Sequence, residues 1–122
     1  MLAFRLGGDA ELPPGLPWPG PPPMPSFTLE STPADVDEGA RLYHLECGVC
    51  HGGEVVGGGS VPDLRYSGEA VHERFQAIVR GGERAQLGMP AFEEVFSEAE
   101  VRQIQTYVLS AARQAAQKAG AP

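Results

Sequence analysis

Apolar residues recur at helical spacing in the part of the chain that follows residue 31. Over residues 69–80, Val71, Phe75, Ile78 and Val79 fall on one face. That spacing predicts a helix closed by Gly81-Gly82, with His72 turned to solvent. A last helix opens at Ser97-Glu98-Ala99-Glu100, a capping box. It carries Val101, Ile104, Val108 and Ala112 on one face with Tyr107 beside them. Beyond Ala112 the chain turns alanine- and glutamine-rich and is expected to fray. A first helix starts at Thr32, an N-cap with Pro33 at the first helical position and Asp35 at the third. It runs through Val36, Gly39, Ala40 and Tyr43 to Cys47. A glycine inside a helix costs ~1 kcal/mol against alanine, so Gly39 needs a reason. Close approach of another helix supplies one. Residues 52–59, rich in glycine, read as loop. The expected class is all-α, with three to five helices.

The first 31 residues lack such a pattern. Leu2-Ala3-Phe4-Arg5-Leu6-Gly7-Gly8 alternates near its end and reads as one short strand with no partner strand in the chain, which cannot be stable alone. Eight of the 12 prolines fall between Pro13 and Pro25. A tract of that kind is extended and polyproline-like, a semi-rigid spacer. The expected division is a remnant strand and linker over 1–31, packed loosely or mobile, a folded unit over 32–118, and a tail over 119–122.

Net charge is −7, which argues against nucleic acid and anionic membrane surfaces as partners. No run approaches the length of a membrane-spanning helix, so no membrane insertion is expected. The N-terminus lacks the basic and apolar regions of a signal peptide.

The chemistry lies in Cys47-Gly48-Val49-Cys50-His51, which holds the only two cysteines. This spacing attaches a c-type haem covalently. Two thiols add to the vinyl groups of one porphyrin, and His51 becomes the proximal ligand of the iron. Zinc would need four ligands, usually as two pairs, and no second pair exists, because His44 and His72 fall at no paired spacing. A thioredoxin-like pair would follow a strand in a βαβ pattern, whereas this one follows a helix. A second axial ligand should be a soft, neutral donor downstream. Met89, in the irregular segment Gly88-Met89-Pro90, suits His/Met ligation, which raises the haem potential. Met24 lies in the proline tract, and His72 is the remaining competitor. The 32–118 segment is small for a large side-chain core. A buried porphyrin would supply much of it, so the apo chain is expected to fold poorly. Covalent haem of this type is attached to exported protein, so either a signal was removed or the chain is cut from a longer one.

Gly39, Tyr43, Cys47-x-x-Cys50-His51, Pro62, Met89 and Tyr107 resemble the class I cytochrome c pattern across residues 32–112. That resemblance implies a crossing of the first and last helices at Gly39 and Tyr107. It also implies that the Pro62 carbonyl accepts from the ring N–H of His51, a contact that orients such a ligand. Val61-Pro62-Asp63-Leu64-Arg65-Tyr66, Ile78-Val79-Arg80-Gly81-Gly82 and Gly88-Met89-Pro90-Ala91-Phe92 are more specific. They look like the C-terminal cytochrome domain of quinohaemoprotein alcohol dehydrogenases. In those enzymes a β-propeller carrying pyrroloquinoline quinone (PQQ) is joined to such a domain by a proline-rich linker. Residues 2–8 and 12–14 are similar to the propeller's closing strand and linker. The propeller, its PQQ and its calcium ligands are absent here, so this polypeptide alone should not oxidise alcohols.

The expected function is therefore electron transfer by one covalent haem c, in the periplasm. Electrons would come from the PQQ-bearing propeller of the parent chain and leave to a downstream periplasmic acceptor. Arg65 and Tyr66 are candidates for binding a haem propionate, since a guanidinium suits a bidentate carboxylate partner. Two other classes stay open, a free-standing soluble periplasmic cytochrome and a haem enzyme or gas sensor with an open iron position. Met89 disfavours the last, because it would close the site.

Overall fold

A computed structural model describes residues 20–59 and 61–120, with Gly7 and Gly15. The strand expected over residues 2–8 and the start of the proline tract lie outside the described residues, those two glycines apart. What is described is all-α, without strands.

Helix α1 spans Pro33–Leu42, and Thr32 closes a full capping box with Asp35. Both groups are reciprocal, the Thr32 hydroxyl taking the Asp35 N–H and the Asp35 carboxylate taking the Thr32 N–H. These bonds hold the Asp35 carboxyl below the usual carboxylate range. Helix α1 passes without a break into a π-helical turn, Tyr43–Cys47, and then into a short helix α2, Gly48–His51. Helix α5, Glu98–Lys118, opens on the Ser97/Glu100 capping box. It packs across α1, and Leu42, Tyr43, Val101, Ile104 and Val108 fill the shared core. The reason for Gly39 is plain at this crossing. A Cβ there would sit 2.0 Å from the Gln103 carbonyl oxygen.

The helix expected over residues 69–80 is two helices, α3 (Glu69–Glu73) and α4 (Phe75–Val79), parted at Arg74. In a continuous helix the His72 carbonyl would accept from the N–H four residues on. Here it accepts from the Arg74 N–H and from the Gln105 side chain at 2.7 Å. A tertiary donor on α5 has replaced a helical one. The fraying expected after Ala112 does not occur. Helix α5 continues to Lys118, with Ala116 fully buried.

From Gly20 onward the proline-rich segment is less loose than expected. Residues 20–31 lie against the helices as a strap, with Pro22 buried. The Tyr66 hydroxyl donates to the Gly20 carbonyl. Arg113 donates to the Phe27 carbonyl at 3.0 Å, and Arg102 to that of Glu30 at 3.2 Å.

Phe27 explains a second correction. His72 does not face solvent; it is 3% exposed. Its ring lies between Phe27, 5.4 Å away, and Phe75, 6.0 Å away, both nearly parallel to it. Burial pushes its pKa below 6.5, the Arg113 charge adds to this, and the Ser67 backbone opposes it. The unfolded chain therefore binds a proton at His72 at a higher pH than the folded chain does. Stability is full above about 6.5 and falls as pH drops through that value toward the folded pKa. Thermal melts of wild type should lose stability on acidification more steeply than those of His72→Phe, which keeps the stack and removes the titration. Parallel curves for the two would refute this.

Candidate functional site

Three aromatic rings set the geometry around residues 47–51. Tyr43, His44 and Tyr107 lie with ring centroids 5.2 to 5.7 Å apart. Tyr43 is wholly buried and donates its hydroxyl to the Gly52 carbonyl at 2.8 Å. Burial raises its pKa well above the ordinary phenol range. The His44 ring nitrogens lie 2.6 Å from the Ala40 carbonyl and 2.7 Å from that of Gly53. The loop leaving His51 is thus pinned to α1. The π-helical turn between these anchors changes the helical phase just before Cys47; such turns concentrate at functional sites.

Cys47 packs half-buried against the core, Cys50 is exposed, and neither is in a disulfide. Burial first, then the Glu46 charge, pushes the Cys47 thiol up to about 11. Redox and nucleophilic thiols are shifted the other way. The shift suits a thiol consumed in a bond rather than one poised as a thiolate. Among the described residues no three His, Cys, Asp or Glu side chains cluster as a metal site.

His51 is half-buried. Burial lowers its pKa, the Pro62 backbone opposes this, and the Arg84 charge adds to the lowering. Its Nδ1 is buried without a hydrogen bond of normal geometry. The Pro62 backbone acts on the ring, but no hydrogen bond from Nδ1 is formed.

The loop after His51 is held by its own close contacts. Val55 is fully buried at φ 56°, the one non-glycine residue with positive φ among those described. A β-branched residue rarely adopts this conformation. Its carbonyl accepts the Leu64 N–H, which ties the loop to the 3-10 turn Leu64–Tyr66. Gly57 lies so close to Val61 and Asp63 that a Cβ would meet the Val61 carbonyl at 2.3 Å. These contacts frame a cavity of about 480 Å³ lined by Val56, Pro62, Leu64, Tyr66, Val71 and Arg84. That volume falls within the ~300–1,000 Å³ of cofactor and ligand sites.

Met89 follows the 3-10 turn Ala85–Leu87 and Gly88, which is left-handed at φ 93°. It packs on the same core cluster as Cys47, Leu64, Phe92 and Tyr107. Its N–H donates to the Arg84 carbonyl at 3.3 Å, and the Phe92 N–H to the Val79 carbonyl at 2.9 Å. Met24 lies at the surface on the strap, apart from this group.

Arg65 is engaged elsewhere. Its guanidinium forms an ion pair with Asp63 at 2.7 Å, and that pairing raises its pKa. It lines a second cavity of about 470 Å³, between the strap and the C-terminal half of α5. Tyr66 lines the first cavity. Arg84 escaped the sequence reading because no motif marks it.

The group that Cys-x-x-Cys-His implies fits what is present. The thiols and imidazole sit on one helical turn, Pro62, whose backbone acts on His51, lines a cavity with Val56, Leu64 and Val71, and Met89 packs on the same core cluster as Cys47. Val49 and Leu87, 87% and 84% exposed, offer apolar surface of the kind a porphyrin would meet.

Comparison with known proteins agrees. Residues 34–108 match the family described as cytochrome c oxidase, cbb3-type, subunit III. The chain is 42% identical to quinohemoprotein alcohol dehydrogenase ADH IIB of Pseudomonas putida, over 90% of this chain and 16% of that protein. It is 38% identical to ADH-IIG of the same organism, over 92% of this chain and 15% of that one. A solved structure of ADHIIG superposes with a TM-score of 0.73 at 36% identity, covering 93% of this chain and 16% of that one. The chain thus spans about one-sixth of the length of these relatives. No described helix is long and apolar enough to cross a membrane. With its all-α fold and its Cys-x-x-Cys-His turn, the chain belongs to the cytochrome family that its residues 34–108 match, and it is a cytochrome c domain, an electron-transfer module of the kind found in quinohaemoprotein alcohol dehydrogenases.

Proposed function

We propose that Cys47 and Cys50 hold one haem c through thioether bonds, and that His51 and Met89 are its axial ligands. The observation that carries this reading is the Cys47–His51 turn together with Met89, which packs on the same core cluster as Cys47. Such a group supplies reversible one-electron chemistry, with a potential set by ligands, burial and hydrogen bonding. The chain's own residues do the rest. The Pro62 carbonyl orients the His51 ring. Tyr43, His44 and Tyr107 hold the loop that carries it. The Arg84 carbonyl steadies the Met89 backbone. Leu64, Val71 and Phe92 keep water from the site, and two protein ligands leave no position for a substrate.

The parent is a PQQ-dependent alcohol dehydrogenase in this reading, supported by the similarity to quinohemoprotein alcohol dehydrogenases. Electrons would arrive from the PQQ-bearing β-propeller of that parent, which also holds the calcium, and leave to a periplasmic acceptor. This domain would not oxidise alcohol by itself. The test is Met89→Ala. The variant should lose the weak sulfur-to-iron absorption band of the ferric form and show a lower midpoint potential. If band and potential both persist, Met89 is not the ligand.

A further inference from the structure

We infer that Arg84, rather than Arg65, is the cationic partner of a haem propionate. This rests on the haem reading above and goes beyond it by assigning the carboxylate site. Four observations carry it. Arg84 lines the first cavity together with Pro62 and Tyr66, whereas Arg65 lines the second. Arg65 already holds a carboxylate. Its Nε and Nη2 donate to Asp63 at 3.0 and 2.7 Å, so its charge is balanced. Arg74 and Arg80 are likewise paired, with Glu83 and Glu98. Arg84 is partly buried, and among the described residues its guanidinium makes no ion pair and no hydrogen bond.

A partly buried guanidinium without an anion is unfavourable, and its fork matches a carboxylate. Its backbone is fixed as well. The Arg84 carbonyl accepts the Met89 N–H at 3.3 Å, and the Ala85 N–H bonds back to Gly82 at 2.9 Å. One residue therefore touches the Met89 loop through its backbone and lines the cavity with Pro62 through its side chain. Asp63 lines the same cavity. Its pairing with Arg65 removes the negative charge that would otherwise repel a propionate. Arg65 then acts on the site at one remove, by neutralising Asp63.

The geometry gives a sign. A cation next to the propionate favours its ionised form, and a cation near the iron favours the ferrous state. Replacing Arg84 by glutamine should lower the midpoint potential. It should also raise the pH at which the propionate titrates, so that an inflection in potential against pH moves up toward neutrality.

The experiment is a redox titration over pH of wild type, Arg84→Gln, Arg84→Lys, Arg65→Gln and Arg102→Gln, each first checked by intact mass for one covalent haem. Arg102→Gln removes one surface charge of the same sign and should overlay wild type. Arg84→Gln should give the largest displacement. Arg84→Lys keeps the charge but loses the fork, and should move in the same direction by less. If Arg84→Gln takes up haem poorly, Arg84→Lys alone decides, and a curve identical to wild type overturns the inference. A larger displacement in Arg65→Gln than in Arg84→Gln overturns it too. A mass without haem in wild type would instead defeat the haem reading itself.

Discussion

The purified chain, matured with haem, will exceed its sequence mass by one haem and will keep its colour through acid–acetone extraction. The Cys47→Ala/Cys50→Ala variant will keep neither. In the proposed reading each thiol makes one bond to the cofactor, and axial ligation alone would release haem in acid. The variant should also melt over a lower and broader range. The reason lies in the core. Its buried side chains come mainly from α4 and α5, while Leu45, Val49 and Leu87 stand exposed. Burying apolar surface contributes about 25 cal/mol per Å², and a porphyrin is large. Covalent haem in the double variant, or an unchanged melting curve, would sink the assignment. So would a zinc ion in place of haem in the wild type.

Gly39→Val should cost about 3 kcal/mol or more, and so lower the melting temperature by ten degrees or more. The ordinary rule runs the other way, since removing a helical glycine favours the helix by up to ~1 kcal/mol. At this site the first side-chain carbon would lie 2.0 Å from the Gln103 carbonyl oxygen and 2.5 Å from its carbon. Both are backbone atoms and cannot swing aside. Helix α1 must move off α5, and Leu42, Tyr43, Ile104 and Val108 lose their packing together. Because α1 leads directly into Cys47, haem uptake should fall as well. A calorimetric scan of Gly39→Val that matches wild type would show that the crossing can open freely.

The parts of the fold legible in the sequence are those written in neighbouring residues. Thr32 with Asp35 and Ser97 with Glu100 announce two helix starts because the bonds span three positions. Gly39 betrays the crossing because a glycine in mid-helix is unfavourable unless something sits against it. The Cys47–His51 turn declares its chemistry for the same local reason. What failed depended on distant partners. His72 looks like a surface residue on its own helix, and only Phe27, far off in the chain, makes it a core residue. The break at Arg74 comes from Gln105. The last two turns of α5 persist with Ala112 and Ala116 buried and Arg113 bonded to the Phe27 carbonyl. Val55 gave no warning, since a β-branched residue is the last expected in a left-handed turn. Arg84 belongs to no motif and shows its place only in three dimensions.

The strap bears on how this electron carrier could be moved into another protein. A fusion engineer reading the helix start would cut at Thr32. That cut would expose one side of His72 and discard the chain that Tyr66, Arg102 and Arg113 hold. The portable part begins no later than Gly20, and the new partner should be joined ahead of it. A graft made that way brings along its own docking piece, so the orientation of the carrier is set by its own surface and not by the joint.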